Sequence, residues 1–93
     1  MATDSPRYDS ADYLQTPEDI AAYLEAAFED GDPGLIAHAL GVIARAEGMT
    51  EIARCTGLTR ASLYKALSED GRPEFETVLK VLRALGFKLT VAA

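Results

Sequence analysis

The sequence predicts an all-α domain, a five-helix bundle with a central helix-turn-helix and a short C-terminal β-strand. Three observations carry that expectation. Apolar residues recur at i, i+3 and i+4 spacing in successive stretches. Hydroxyl or carboxylate residues followed by proline, and glycines at the far ends, punctuate those stretches as helix starts and stops. The segment Thr50 to Leu67, TEIARCTGLTRASLYKAL, places small and apolar residues where two closely crossing helices need them. With 93 residues, 48% of them hydrophobic, the chain suffices for one small core and is too short for two.

Residues 1–15 are polar, contain Pro6 and clustered Ser and Asp, and read as a flexible arm ahead of a helical domain over 16–93. Tyr8, Tyr13 and Leu14 are the apolar exceptions, either a staple onto the first helix or anchors for a partner. Thr16-Pro17-Glu18-Asp19 starts the first helix with a hydroxyl cap, a proline at the first position and two acids facing the positive end of the macrodipole. Ile20, Tyr23, Leu24, Ala27 and Phe28 form its buried stripe, and it should end near Asp30. Asp32-Pro33 repeats the start signal. Leu35, Ile36, Ala39, Leu40 and Ile43 then form a second stripe running to Gly48, with His38 on the opposite, solvated face.

In the central segment Thr50 should cap one helix and Thr59 the next, with Gly57 supplying the positive φ between them. Ile52 and Ala53 face inward, Ala53 small because the helices cross beside it. Leu58, Leu63 and Ala66 seat the second helix on the same core. After a polar loop at 68–72 and Pro73, the residues Phe75, Val78, Leu79, Leu82 and Leu85 predict a fifth amphipathic helix closed by Gly86. Phe87 to Val91, FKLTV, alternates apolar and polar and reads as the terminal strand. Such a strand either lies over the core as a tail or pairs with its copy across a dimer.

The second helix of the pair leaves Thr59, Arg60, Ala61, Ser62, Tyr64 and Lys65 on its outward side, with no acid between Leu58 and Leu67. Hydroxyls, a methyl, a guanidinium, a phenol and an ammonium are groups that read base edges and grip phosphates. Thr59, Arg60 and Ala61 stand at the end of the helix that enters a major groove first, and the Thr50 hydroxyl is placed to hold a phosphate. Arg54 and Arg72 are weaker phosphate candidates. The competing reading of the same pattern is a plain helical hairpin.

Net charge is −6, which by itself disfavours a polyanionic partner, but the charge is divided. Residues 1–48 carry ten acids against Arg7 and Arg45, whereas residues 49–93 carry seven bases against five acids. This division points to two partners, one cationic and one anionic. No catalytic or metal set is legible. Cys55 is a lone cysteine with no histidine in its segment, reading as a half-packed apolar filler, and His38 is a lone histidine. No cofactor is expected, and the absence of an apolar run near the roughly 20 residues of a membrane span, or of a signal-like N-terminus, predicts a cytoplasmic protein.

Four blocks, YDSADYL, EDIAAYLEAAFEDGD, ALGVIARAEGMTEIARCTGLTRASLYKALS and FETVLKVLRALGFKL, follow one another in an order and spacing that resembles the addiction-module antidote proteins. These are helix-turn-helix antitoxins of Hig type, encoded in bacteria beside RelE/ParE-like toxins. The resemblance runs from about Tyr8 to Val91. It implies a lambda-repressor-like bundle that is no enzyme. Its implied work is to neutralise a small basic toxin, usually a ribosome-associated mRNA nuclease, and to repress its own operon by binding operator double-stranded DNA as a homodimer. Thr59, Arg60, Ala61, Tyr64 and Lys65 match the operator-reading positions. The acidic first half is the expected toxin side, with Tyr8, Tyr13, Tyr23 and Phe28 as candidate anchors. Two other functions fit the residues: a free-standing helix-turn-helix transcriptional repressor without a toxin partner, and a protein-binding module whose helix pair no longer reads DNA.

Overall fold

In the computed structural model, which describes residues 15–92, five helices follow in order: α1 (Pro17–Asp30), α2 (Pro33–Glu47), α3 (Met49–Thr56), α4 (Arg60–Ala66) and α5 (Phe75–Ala84). The expected cap and proline signals set the first two. The Thr16 hydroxyl accepts from the Asp19 N–H at 3.0 Å while the Asp19 carboxylate accepts from the Thr16 N–H at 3.3 Å, a reciprocal capping box. Asp32 accepts from the Leu35 N–H at 2.8 Å ahead of Pro33.

α2 is the centre of the bundle. Residues 39 to 44, ALGVIA, are all buried, because α1, α3, α4 and α5 pack around it. Leu40 and Ile43 of α2, Leu63 and Leu67 at the end of α4, and Val81 of α5 are the largest fully buried side chains. Ile20 and Leu24 bring α1 onto this cluster, and Met49 and Ile52 bring α3. Gly41 makes the closest approach: a Cβ built there would lie 2.2 Å from the carbonyl oxygen of Leu67. Gly34, two turns earlier, meets the Glu69 carbonyl in the same way at 2.8 Å. At Gly34 and Gly41, α2 therefore lets the end of α4 and the loop after it approach its backbone closely.

Several expectations need correction. Residues 87–92 form no β-strand, and no other strand exists among the described residues for them to pair with. α5 instead ends in a Schellman turn, with the Gly86 N–H donating to Arg83 O at 3.0 Å and the Phe87 N–H to Leu82 O at 2.9 Å. Phe87 packs against the core, but Leu89 is 41% and Val91 99% exposed, so the alternating pattern covers no common face. Thr50 does not cap α3: Gly48 occupies the N-cap, no side chain caps that end, and Thr50 sits exposed in the first turn. Phe75, expected in the α5 stripe, is 66% exposed, and Val81 fills the core in its place. His38 is half-buried, not solvated, because α2 is surrounded. Cys55 is exposed. The candidate anchors Tyr8 and Tyr13, with Leu14 and nearly all of the expected arm, lie outside the described residues.

Candidate nucleic-acid interface

α3 and α4 are held at their angle by a turn that spends its polar groups locally. Gly57 adopts φ 77°, ψ 10°, and its N–H closes α3 on Ala53 O at 2.9 Å. A side chain at that φ would be strained, so glycine is needed there. Thr56 is buried, and its hydroxyl donates to Ile52 O at 2.8 Å while accepting from the Leu58 N–H at 3.3 Å. Sequence reasoning missed this hydroxyl; its signal was a threonine directly before the turn glycine. Leu58 then packs against the core and Leu63 is completely buried, which fixes the rotation of α4.

That rotation leaves Thr59, Arg60, Ala61, Ser62, Tyr64 and Lys65 exposed together, as the sequence predicts. Thr59 is the N-cap, its hydroxyl accepting from the Ser62 N–H at 3.0 Å. The same hydroxyl donates to Ser62 Oγ at 3.0 Å, and Ser62 Oγ donates to Thr59 O at 3.0 Å. Both hydroxyl protons are thus turned into the protein, and both oxygens offer outward only lone pairs. Thr59→Ala should lower stability by about 0.5–2 kcal/mol through the lost cap, with Thr59→Ser close to wild type, as read by urea denaturation. One turn on, the Arg60 guanidinium lies 6.0 Å from the centre of the Tyr64 ring, at the outer limit of a cation–π contact.

The two additional arginines separate clearly. Arg54 is tied to Glu51, which also lies 3.5 Å from the Cys55 thiol. Hydrogen bonding from Arg54, then from Cys55, holds the Glu51 carboxyl below its ordinary value, and Glu51 in turn raises the Arg54 guanidinium. Arg72 is exposed and in no ion pair among those the described residues form, Glu51 with Arg54 and Glu76 with Lys80. Gly71 delivers it: the loop presses so tightly on the end of α4 that a Cβ at Gly71 would stand 2.1 Å from Ala66 O. The result is a shallow pocket lined by Ser62, Lys65, Asp70 and Arg72, continuous with the exposed face of α4. Thr50 is exposed in the first turn of α3, whose start no side chain caps. Of the other candidates, Tyr23 and Phe28 are half-buried and pack on the core, and Phe28 also lines a groove with Asp70, Gly71 and Arg72.

No cluster of His, Cys, Asp and Glu suited to a metal exists among the described residues, and no helix there is long and apolar enough to cross a membrane. A family model described as "probable addiction module antidote protein" matches residues 4–93. A Haemophilus influenzae protein described as uncharacterized is 45% identical over 84 residues, covering 90% of this chain and 87% of that one. No solved structure gives a significant match.

Proposed function

The chain belongs to the probable addiction module antidote proteins, and from that membership we propose that it is the antitoxin of a type II toxin–antitoxin system, of Hig type. In this reading it binds and silences a small basic toxin of the RelE/ParE kind in the cytoplasm and represses its own operon through α3 and α4. It acts by binding and needs no cofactor. The observation that carries the DNA half of the proposal is the contiguous exposure of Thr59, Arg60, Ala61, Ser62, Tyr64 and Lys65 on a helix whose rotation is locked by Leu63.

Each group has a role. Arg60 forks onto guanine, steadied by the Tyr64 ring, and Ala61 touches a thymine methyl. Thr59 and Ser62, with their protons committed inward, accept from exocyclic amino groups of adenine or cytosine. Lys65 grips the phosphate backbone beside Arg72, while the first-turn N–H groups of α3 and the Thr50 hydroxyl hold a second phosphate. Two copies bind half-sites about one helical turn apart.

The test is a gel shift on the DNA upstream of the protein's own gene. Arg60→Ala should cost about 1–3 kcal/mol and relax preference at one base position, whereas Lys65→Ala should weaken all sequences alike and flatten the salt dependence by about one unit. Both variants shifting and footprinting like wild type would overturn the assignment.

A further inference from the structure

The C-terminal tail, having no strand to join, lies along α1 and leaves an open groove of about 910 Å³ between the two. Its α1 wall is built from Ala22, Ala26 and the edge of Phe28, and its tail wall from Phe87 and Leu89. Glu25 and Glu29 stand on the α1 rim, both exposed, one helical turn apart. Lys88 is the base on the opposite wall.

The acids of this rim are placed against helix physics. Like charges at i, i+4 repel, and carboxylates in the last turn face the negative end of the macrodipole. Glu29 and Asp30 occupy that end of α1, and no base is present in its last turn to offset them. No Lys or Arg occurs anywhere from Gln15 to Ala44. Among the described residues the ion pairs are Glu51 with Arg54 and Glu76 with Lys80, so neither rim glutamate has one. Positions that break a local rule are expected at functional sites.

We infer that this groove is the docking surface for the basic protein partner: an apolar side chain of the partner enters between Ala26 and Leu89 while its flanking Lys or Arg residues neutralise Glu25 and Glu29. The inference rests on the antitoxin reading and names the surface that reading leaves open. It moves the contact from the half-buried Tyr23 and Phe28 as free anchors to the groove that Phe28 helps to line. α1 packs chiefly on α2, and α4 packs on α3 and α2, while Phe28 and Leu89 also line a second groove with Asp70, Gly71 and Arg72.

The experiment measures binding of the purified basic product of the adjacent gene to the full chain and to two variants. One is Glu25→Lys/Glu29→Lys, the other Leu89→Asp. A lysine at position 29 suits the last turn of α1, and the i, i+4 repulsion of two glutamates is exchanged for that of two lysines, so thermal stability of the double variant should stay close to that of wild type. Its partner affinity should fall at least tenfold, and so should that of Leu89→Asp, while both shift operator DNA as wild type does. Wild type binding the partner with both variants binding equally tightly would overturn the docking surface and leave the antitoxin reading standing. A wild-type chain that does not bind the adjacent gene product would instead defeat the antitoxin reading itself.

Discussion

Leu63→Ala will lower stability by about 2–5 kcal/mol, the cost of removing a fully buried leucine and leaving a cavity that rigid neighbours fill only in part. Leu63 anchors α4 in the buried cluster that also holds Leu40, Ile43, Leu67 and Val81. In a domain of this size that loss is a large share of the total folding free energy. The outcome is a urea midpoint shifted far down with an unchanged slope, because the unfolded surface exposed is the same. DNA binding should disappear near the new midpoint and not before it, since the outward residues of α4 are untouched.

Gly41→Ala will destabilise although the exposed-helix rule predicts the reverse. An alanine inside a solvated helix is worth about 1 kcal/mol over glycine. Here the added Cβ would meet the Leu67 carbonyl oxygen at 2.2 Å, and that atom is backbone held between two helices. α4 must move away from α2 for the methyl to fit, and overpacking of this kind costs about 1–3 kcal/mol and occasionally more. Thermal unfolding of Gly41→Ala beside an exposed control, Ala46→Gly, separates the two effects: the control loses only its propensity, whereas Gly41→Ala loses stability despite gaining propensity. A Gly41→Ala protein as stable as wild type would mean that the approach of α2 to α4 is looser than the structure describes.

These two positions show what the sequence could reveal. Leu63 was legible, because an apolar residue four after a threonine cap and six after a turn glycine has one place to go. The exposed set on α4 was legible for the same reason, as the remainder of a helix whose buried side is known. Gly41 was not read, since close approach of two backbones depends on the path of a distant segment. Its trace was the pair Gly34 and Gly41, seven residues apart inside an otherwise helical stretch. The uncapped start of α3 escaped because Gly48 ends α2 and opens α3 at once, which shifts Thr50 from the cap into the first turn. The terminal strand failed on a nonlocal requirement. FKLTV has the alternation of a strand, but alternation stabilises nothing without a neighbouring ladder, and the Schellman turn at Gly86 had already fixed the direction of the chain. The groove along α1 follows from that same outcome.

Charge is unevenly spread over the described residues: α4 carries Arg60 and Lys65 and no acid, the loop after it holds Arg72 among Glu69, Asp70 and Glu74, and α1 carries acids alone. Under the proposed function, long-range attraction of this kind would speed encounter with the partners and weaken as salt rises.

The central claim is that the chain neutralises a toxin, and growth of a bacterial host reads it directly. The adjacent gene product induced alone will arrest growth, and coinduction of this chain will restore it, with the two proteins recovered together in near-equal amounts. An adjacent product without effect on growth, or an arrest that this chain fails to relieve while it still binds its own upstream DNA, would contradict the claim and leave a free-standing repressor.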